Sequence, residues 1–123
     1  MTINEVIAQV DRTRDNLVPN DAKIRWLART DQMIFDQIMK GREGVEDKKP
    51  PEYGEDDGEV TLLVPPPYDE LYIYKLEAEI YYEQREIKKY ASSMALYNQT
   101  LAEFRNRYAQ EHRALPLPRV KYW

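Results

Sequence analysis

The chain has 123 residues, of which 42% are hydrophobic and 33% charged, and its formal net charge is −4. This length excludes a second domain of ordinary size, and the apolar fraction fills one modest core. Cysteine is absent, which excludes a disulfide framework and thiolate catalysis and agrees with a reducing compartment. No apolar run approaches the roughly 20 residues of a membrane span, and the first residues lack a secretory signal, so we expect a soluble protein made in the cytoplasm.

A capping box predicts a short first helix. Thr2 and Glu5 have the spacing at which each side chain bonds the other's backbone N–H, and apolar residues follow with helical spacing. We expect this helix to end near Asp11 or Arg14, before the break at Pro19.

A second helix is predicted to begin at Asn20 or Asp21, either of which can cap it, and to end at Gly41. Its apolar positions skip one place, Asp31, where a core residue is expected, and Trp26 falls on a flanking face. The apolar positions themselves are Ile24, Leu27, Ala28, Ile34, Phe35 and Ile38.

Residues 41–60 are predicted to form a long acidic surface loop because they hold all four glycines, two prolines and eight of the 22 acids. Eight acids and two lysines give residues 43–59 a net charge of −6. A loop of about 20 residues is long for a compact domain and indicates binding or disorder, although a merely solvated surface is the plainer interpretation. The candidate inter-subunit residues of this loop are Glu55, Asp56 and Asp57.

Residues 61–67 are predicted to be a short extended segment that ends in three prolines. Proline has a fixed φ and no N–H group, which suits the start of a helix. A lone strand needs a partner edge, which only the loop or a neighbouring subunit can supply. The candidate residues for pairing with a neighbour are Thr61, Leu62, Leu63 and Val64.

Residues 68–112 are predicted to be helical, and they carry eight of the ten tyrosines. Apolar side chains cover nearly all sides between Leu71 and Tyr82, which predicts a central helix, whereas Ile87 to Tyr108 shows a single stripe. Residues 83–86 contain neither Gly nor Pro, so the pattern allows one rod. We expect two helices, because a small chain must fold this segment back to cover its own apolar faces.

Residues 114–123 are predicted to form an extended arm because alternating prolines exclude a helix. The C-terminal end is basic, with a net charge of +4 over residues 105–121. Opposite charges on the arm and the loop suit contact between copies, since rim charges set orientation more than affinity. The candidate interface residues of the arm are Leu115, Leu117, Arg119, Val120, Lys121, Tyr122 and Trp123.

No arrangement of residues predicts catalysis. His112 is the only histidine and lies at a helix end, where it suits the last carbonyl groups. The acids of the loop lack the spacing of a calcium site, and no Cys/His cluster or nucleotide fingerprint occurs. The helices also lack a basic face that could read DNA sequence. We therefore expect that the protein is not an enzyme and that it binds neither a cofactor nor a metal ion.

Several motifs together resemble the small head–tail connector (adaptor) proteins of tailed bacteriophages and prophages, over about residues 2–110. They are Glu5-Val6-Ile7, Lys23-x-x-Trp26-Leu27, the run Glu59-Val60-Thr61-Leu62-Leu63-Val64-Pro65-Pro66-Pro67-Tyr68-Asp69-Glu70-Leu71-Tyr72, Met94-Ala95-Leu96-Tyr97-Asn98, Phe104 and Tyr108. The resemblance implies a small helical bundle that assembles as a ring, commonly a dodecamer, beneath the portal. By the same resemblance, the ring would extend the DNA channel and provide a platform for the next tail component.

The sequence thus predicts an all-α bundle of about four helices, with a connector domain at residues 1–113 and an arm at 114–123. The partners implied are other copies of the chain, the portal, and a downstream tail or stopper protein. DNA would only pass through the channel, no membrane would be involved, and the virion would be the final location. The alternative is a small cytoplasmic helical adaptor or regulator that acts as a dimer.

Overall fold

The computed structural model describes residues 1–115, and within them it contains four α-helices and no β-strand. The helices are α1 (Ile3–Thr13), α2 (Asn20–Ile34), α3 (Glu70–Glu83) and α4 (Ile87–Glu111). A π-helical turn at Phe35–Met39 continues α2. The predicted all-α class is confirmed.

Helix α1 begins as its capping motif predicts. The Thr2 side chain accepts a hydrogen bond from the Glu5 backbone N–H at 3.2 Å. Two further N–H groups of the first turn donate to the loop, from Ile3 to the Val60 carbonyl at 3.1 Å and from Asn4 to that of Gly58 at 2.9 Å. The start of α1 is therefore tied to a segment that lies far away in the sequence.

Helix α2 begins differently from the prediction. The N-cap is Pro19, and Asn20 is already helical, so neither Asn20 nor Asp21 caps the helix through its side chain. The Pro19 carbonyl accepts from Ala22 N–H at 3.2 Å. The predicted end is confirmed, because the helical segment stops at Met39 and Gly41 has a φ of +82°, which glycine adopts at little cost.

Helices α3 and α4 are separate, as the size argument predicts, and the turn between them is a Schellman motif. The N–H of Glu86 donates to the Tyr81 carbonyl at 2.9 Å, and that of Arg85 donates to the Tyr82 carbonyl at 3.1 Å. Arg85 has a φ of 60°, a left-handed conformation that usually belongs to glycine. Arginine at this position explains why no Gly or Pro marks the break.

We expect Arg85→Gly to raise the free energy of unfolding by about 0.5–1 kcal/mol, because it removes the Cβ that disfavours positive φ. Arg85→Ala is the matched control, since it deletes the same charge and keeps the Cβ. Urea denaturation of both variants checks this. Equal stability of the two variants would contradict a strained Arg85.

Helix α3 is the central helix of the bundle and contacts α1, α2 and α4. Its fully buried side chains include Leu71, Tyr72, Leu76, Ala78 and Ile80. This arrangement confirms the central helix predicted from its all-round apolar surface.

Helix α4 buries the C-terminal part of its predicted stripe. Tyr97, Leu101, Phe104 and Tyr108 are buried in the core, whereas Ile87 remains 60% exposed. The first turns of α4 therefore leave an apolar surface uncovered.

Candidate functional site

A buried carboxylate, Asp31, fastens the segment before α3 to α2. Its side chain is fully buried and accepts the Tyr53 hydroxyl at 2.6 Å, the Leu63 backbone N–H at 3.0 Å and the Tyr72 hydroxyl. The Tyr72 oxygen in turn accepts the Val64 N–H at 2.9 Å. One aspartate thus fixes the 53–64 segment against two helices, which explains the polar residue in an apolar stripe.

Burial and hydrogen bonding act in opposite directions on the carboxyl group of Asp31. Burial raises its pKa and is the larger effect, while the hydrogen bonds from Tyr53, Tyr72 and the Leu63 N–H lower it, so that the pKa stays above its usual value. Burial also raises the pKa of both hydroxyls, and the neighbouring Asp31 charge adds to this. Both tyrosine hydroxyls therefore stay protonated and remain hydrogen-bond donors to Asp31.

The raised pKa predicts an unusual dependence of stability on pH. Native Asp31 holds its proton to higher pH than unfolded Asp31, so its contribution to the free energy of unfolding is full below the unfolded pKa of about 3.9. That contribution declines as the pH rises through the native pKa. We expect the stability difference between wild type and Asp31→Asn to shrink as the pH rises. Urea unfolding of both proteins across a pH series checks this, and a difference that grows with pH would contradict it.

The four residues predicted to pair with a neighbour, Thr61 to Val64, differ in how deeply they are buried in their own subunit. Thr61 is exposed and forms an antiparallel bridge with Thr2 of its own chain. Leu62 and Val64 are buried in the core of the same subunit, at 3% and 0% exposure, while Leu63 is half-buried. The side chains of Leu62 and Val64 therefore pack within their own subunit. Asp31 and Tyr72 fix the backbone of this segment by accepting hydrogen bonds from the N–H groups of Leu63 and Val64.

The acidic candidates lie in a turn on the surface. Glu55 and Asp56 are exposed, and the Asp57 carboxylate accepts the Gly54 N–H at 2.7 Å. The turn adjoins Tyr53, whose hydroxyl is held by Asp31. The acidic side chains are therefore presented from an anchored segment.

The first residues of the arm pair with the segment that follows α2. Leu115 N–H donates to the Gly41 carbonyl at 2.8 Å, and Glu43 N–H donates to the Arg113 carbonyl at 2.9 Å. These bonds fix the origin of the arm at the C-terminal end of α4. The remaining predicted interface residues lie outside the described part of the chain; they are Leu117, Arg119, Val120, Lys121, Tyr122 and Trp123.

His112 lies at the end of α4 as predicted. Its ring stacks on Tyr108 at a centroid distance of 3.9 Å, and its Nδ1 is 3.2 Å from the Tyr108 carbonyl oxygen. Among residues 1–115 no group of three or more His, Asp or Glu side chains could hold a metal ion. None of the helices in that range is long and apolar enough to cross a membrane.

The sequence pattern predicts the acceptor of this site but not its donors. The gap in the apolar stripe of α2 singles out Asp31, but nothing in the pattern identifies Tyr53 or the Leu63 N–H as its donors. These groups are 22 and 32 residues away along the chain, so only the tertiary fold brings them together.

Comparison with known proteins adds no relative. The chain matches no protein-family model, no curated protein and no solved structure.

Proposed function

We propose that this chain is a structural, non-enzymatic head–tail connector of a tailed phage or prophage, which forms a ring between the portal and the tail. The observation that carries the proposal is the apolar surface that the bundle leaves exposed. Leu17 is fully exposed, Tyr82 and Ile87 are 59% and 60% exposed, and Leu96 is 46% exposed. Side chains of this kind suit burial against other subunits.

A ring subunit needs two different contact surfaces, because head-to-tail contacts close into a ring when the rotation allows. The anchored acidic turn offers one such surface, and the arm at residues 114–123 offers a second. Their opposite charges favour contact between neighbours. The Asp31 cluster supports this role by fixing the segment that carries the turn, so that less freedom is lost on assembly.

The proposal includes the portal and a downstream tail or stopper protein as partners and the virion as the final location. DNA would pass through the channel without being bound in a sequence-specific way. Acidic side chains that line such a channel would repel the phosphates and keep passage free.

The second candidate is a small cytoplasmic adaptor or regulator that dimerises through its tyrosine-rich helices. The Tyr82 and Tyr90 rings favour it, because they pair at a centroid distance of 5.5 Å across the exposed end of α3 and α4. Such an aromatic pair is a suitable anchor for a two-fold interface.

Mass measurement of the full chain mixed with purified portal rings separates the two functions. The connector is expected to add a ring of subunits to each portal, in a fixed ratio. A dimer whose mass is unchanged by portal would contradict the connector and favour the adaptor.

A further inference from the structure

A groove lined by aromatic rings and prolines runs along the C-terminal third of α4. Its cavity has a volume of about 560 Å³, and one wall is the exposed run Pro65–Pro67. Met39 and Leu63 complete its apolar lining, and Arg107 and Glu111 stand at its rim, joined by a salt bridge of 2.7 Å.

Four rings follow one another along this groove. Tyr68 and Phe104 have a centroid distance of 6.1 Å, Phe104 and Tyr108 one of 5.7 Å, and Tyr108 and His112 one of 3.9 Å. Phe104, Tyr108 and His112 lie at successive four-residue steps along α4 and its C-cap, so their rings form a continuous row. Aromatic-lined grooves of this kind bind proline-rich segments in the polyproline II conformation, because such a segment loses little entropy on docking.

We propose that this groove is the docking site of the chain's own arm, with Pro116–Arg119 as the occupant. The arm begins at the groove, because Leu115 is bonded to Gly41 while Met39 and His112 line the cavity. Four residues in a polyproline II helix span about 12 Å, and the groove from His112 to Phe104 spans the same distance, about 12 Å of helix.

The alternation Leu115-Pro116-Leu117-Pro118 gives the arm the chemistry that the groove recognises. Each residue before a proline is confined to extended conformations, so the segment is largely prepared for docking. Attachment at Leu115 also gives the arm a high local concentration at its own groove, whereas a neighbouring copy must be recruited from solution. An occupant that ends at Arg119 leaves Val120–Trp123 for a partner.

The absence of cysteine makes a direct test available in the full-length protein. Leu117→Cys combined with Arg107→Cys places one thiol on the arm and one at the groove. The matched control combines Leu117→Cys with Asn106→Cys, which lies almost the same number of residues from the arm but on the opposite side of α4, outside the groove. Both α4 positions are exposed, so either substitution leaves the core intact.

Both double variants are oxidised mildly at low protein concentration, and mass measurement follows the formation of disulfides within one chain and between chains. A disulfide within one chain is expected to form about tenfold faster in the groove pair than in the control pair, since a disulfide needs Cβ atoms about 4 Å apart. Equal rates would overturn the proposal. Disulfides that form only between two chains would overturn it as well, because the arm would then occupy a neighbour's groove. The test needs no portal, so its failure is distinct from that of the connector function.

Discussion

Replacing Asp31 by alanine is expected to lower the free energy of unfolding by about 3–5 kcal/mol. The substitution leaves the Tyr53 hydroxyl, the Tyr72 hydroxyl and the Leu63 N–H without their acceptor, in a site where the carboxylate is fully buried. A buried donor that loses its partner costs about 1–3 kcal/mol; the fully buried Tyr72 can reach the upper part of this range, while the half-buried Tyr53 and Leu63 stay near its lower end. The loss is a large fraction of the total stability of a small domain, which is about 5–15 kcal/mol.

Urea denaturation measures this effect, and two further variants show its origin. Asp36→Ala is the control on the same helical segment, where the aspartate is 66% exposed and forms only a surface salt bridge with Lys40; its effect is expected to stay within about 0.5 kcal/mol. Tyr53→Phe removes a single donor and should cost about 1 kcal/mol. An Asp31→Ala variant as stable as Asp36→Ala would show that the carboxylate does not anchor the 53–64 segment.

Removing residues 116–123 is expected to abolish assembly while the helices remain. The core described above is formed by side chains between Ile3 and Tyr108, and the bonds of Arg113 and Leu115 to the segment after α2 are retained in a chain that ends at Leu115. The helical circular dichroism signal should therefore be nearly unchanged. The mass in solution should fall to that of one subunit at concentrations where the full chain forms its oligomer.

A chain of full length in which Gly and Ser replace residues 116–123 is the control for this truncation. It keeps the length of the arm and loses its prolines, cations and aromatic rings, so it should also remain a single subunit. Melting of the truncated monomer would show that the arm holds the bundle together. Unimpaired assembly of either variant would show that the arm is not an interface.

Local signals in the sequence were sufficient for the ends of several helices. Thr2 and Glu5 predicted the start of α1, and Gly41 predicted the end of the helical segment that follows α2. The sequence pattern places the cap of α2 at Asn20 or Asp21, which is one or two residues too late, since Pro19 occupies the cap position and its backbone carbonyl accepts the first hydrogen bond. Signals of this kind depend on neighbours along the chain, which is why the pattern contains them.

Long-range contacts could not be predicted in the same way. The turn at Arg85 has no sequence marker, because a residue other than glycine holds the left-handed position, and the packing of α3 on α4 compensates the cost. Only the size of the chain indicated that the helices fold back. The pattern leaves two partners open for Leu62 and Val64, the loop or a neighbouring subunit. Their side chains are buried in their own subunit, where Asp31 and Tyr72 accept hydrogen bonds from the N–H groups of Leu63 and Val64.

Electron cryomicroscopy of the particle that the purified full-length chain forms gives its symmetry, which distinguishes a ring-forming connector from a dimeric adaptor. A connector subunit joins its neighbours through two different surfaces, so we expect a closed ring with a central channel in which each subunit contacts the next in the same head-to-tail manner. A two-fold dimer joined through identical surfaces around Tyr82 and Tyr90 would contradict it.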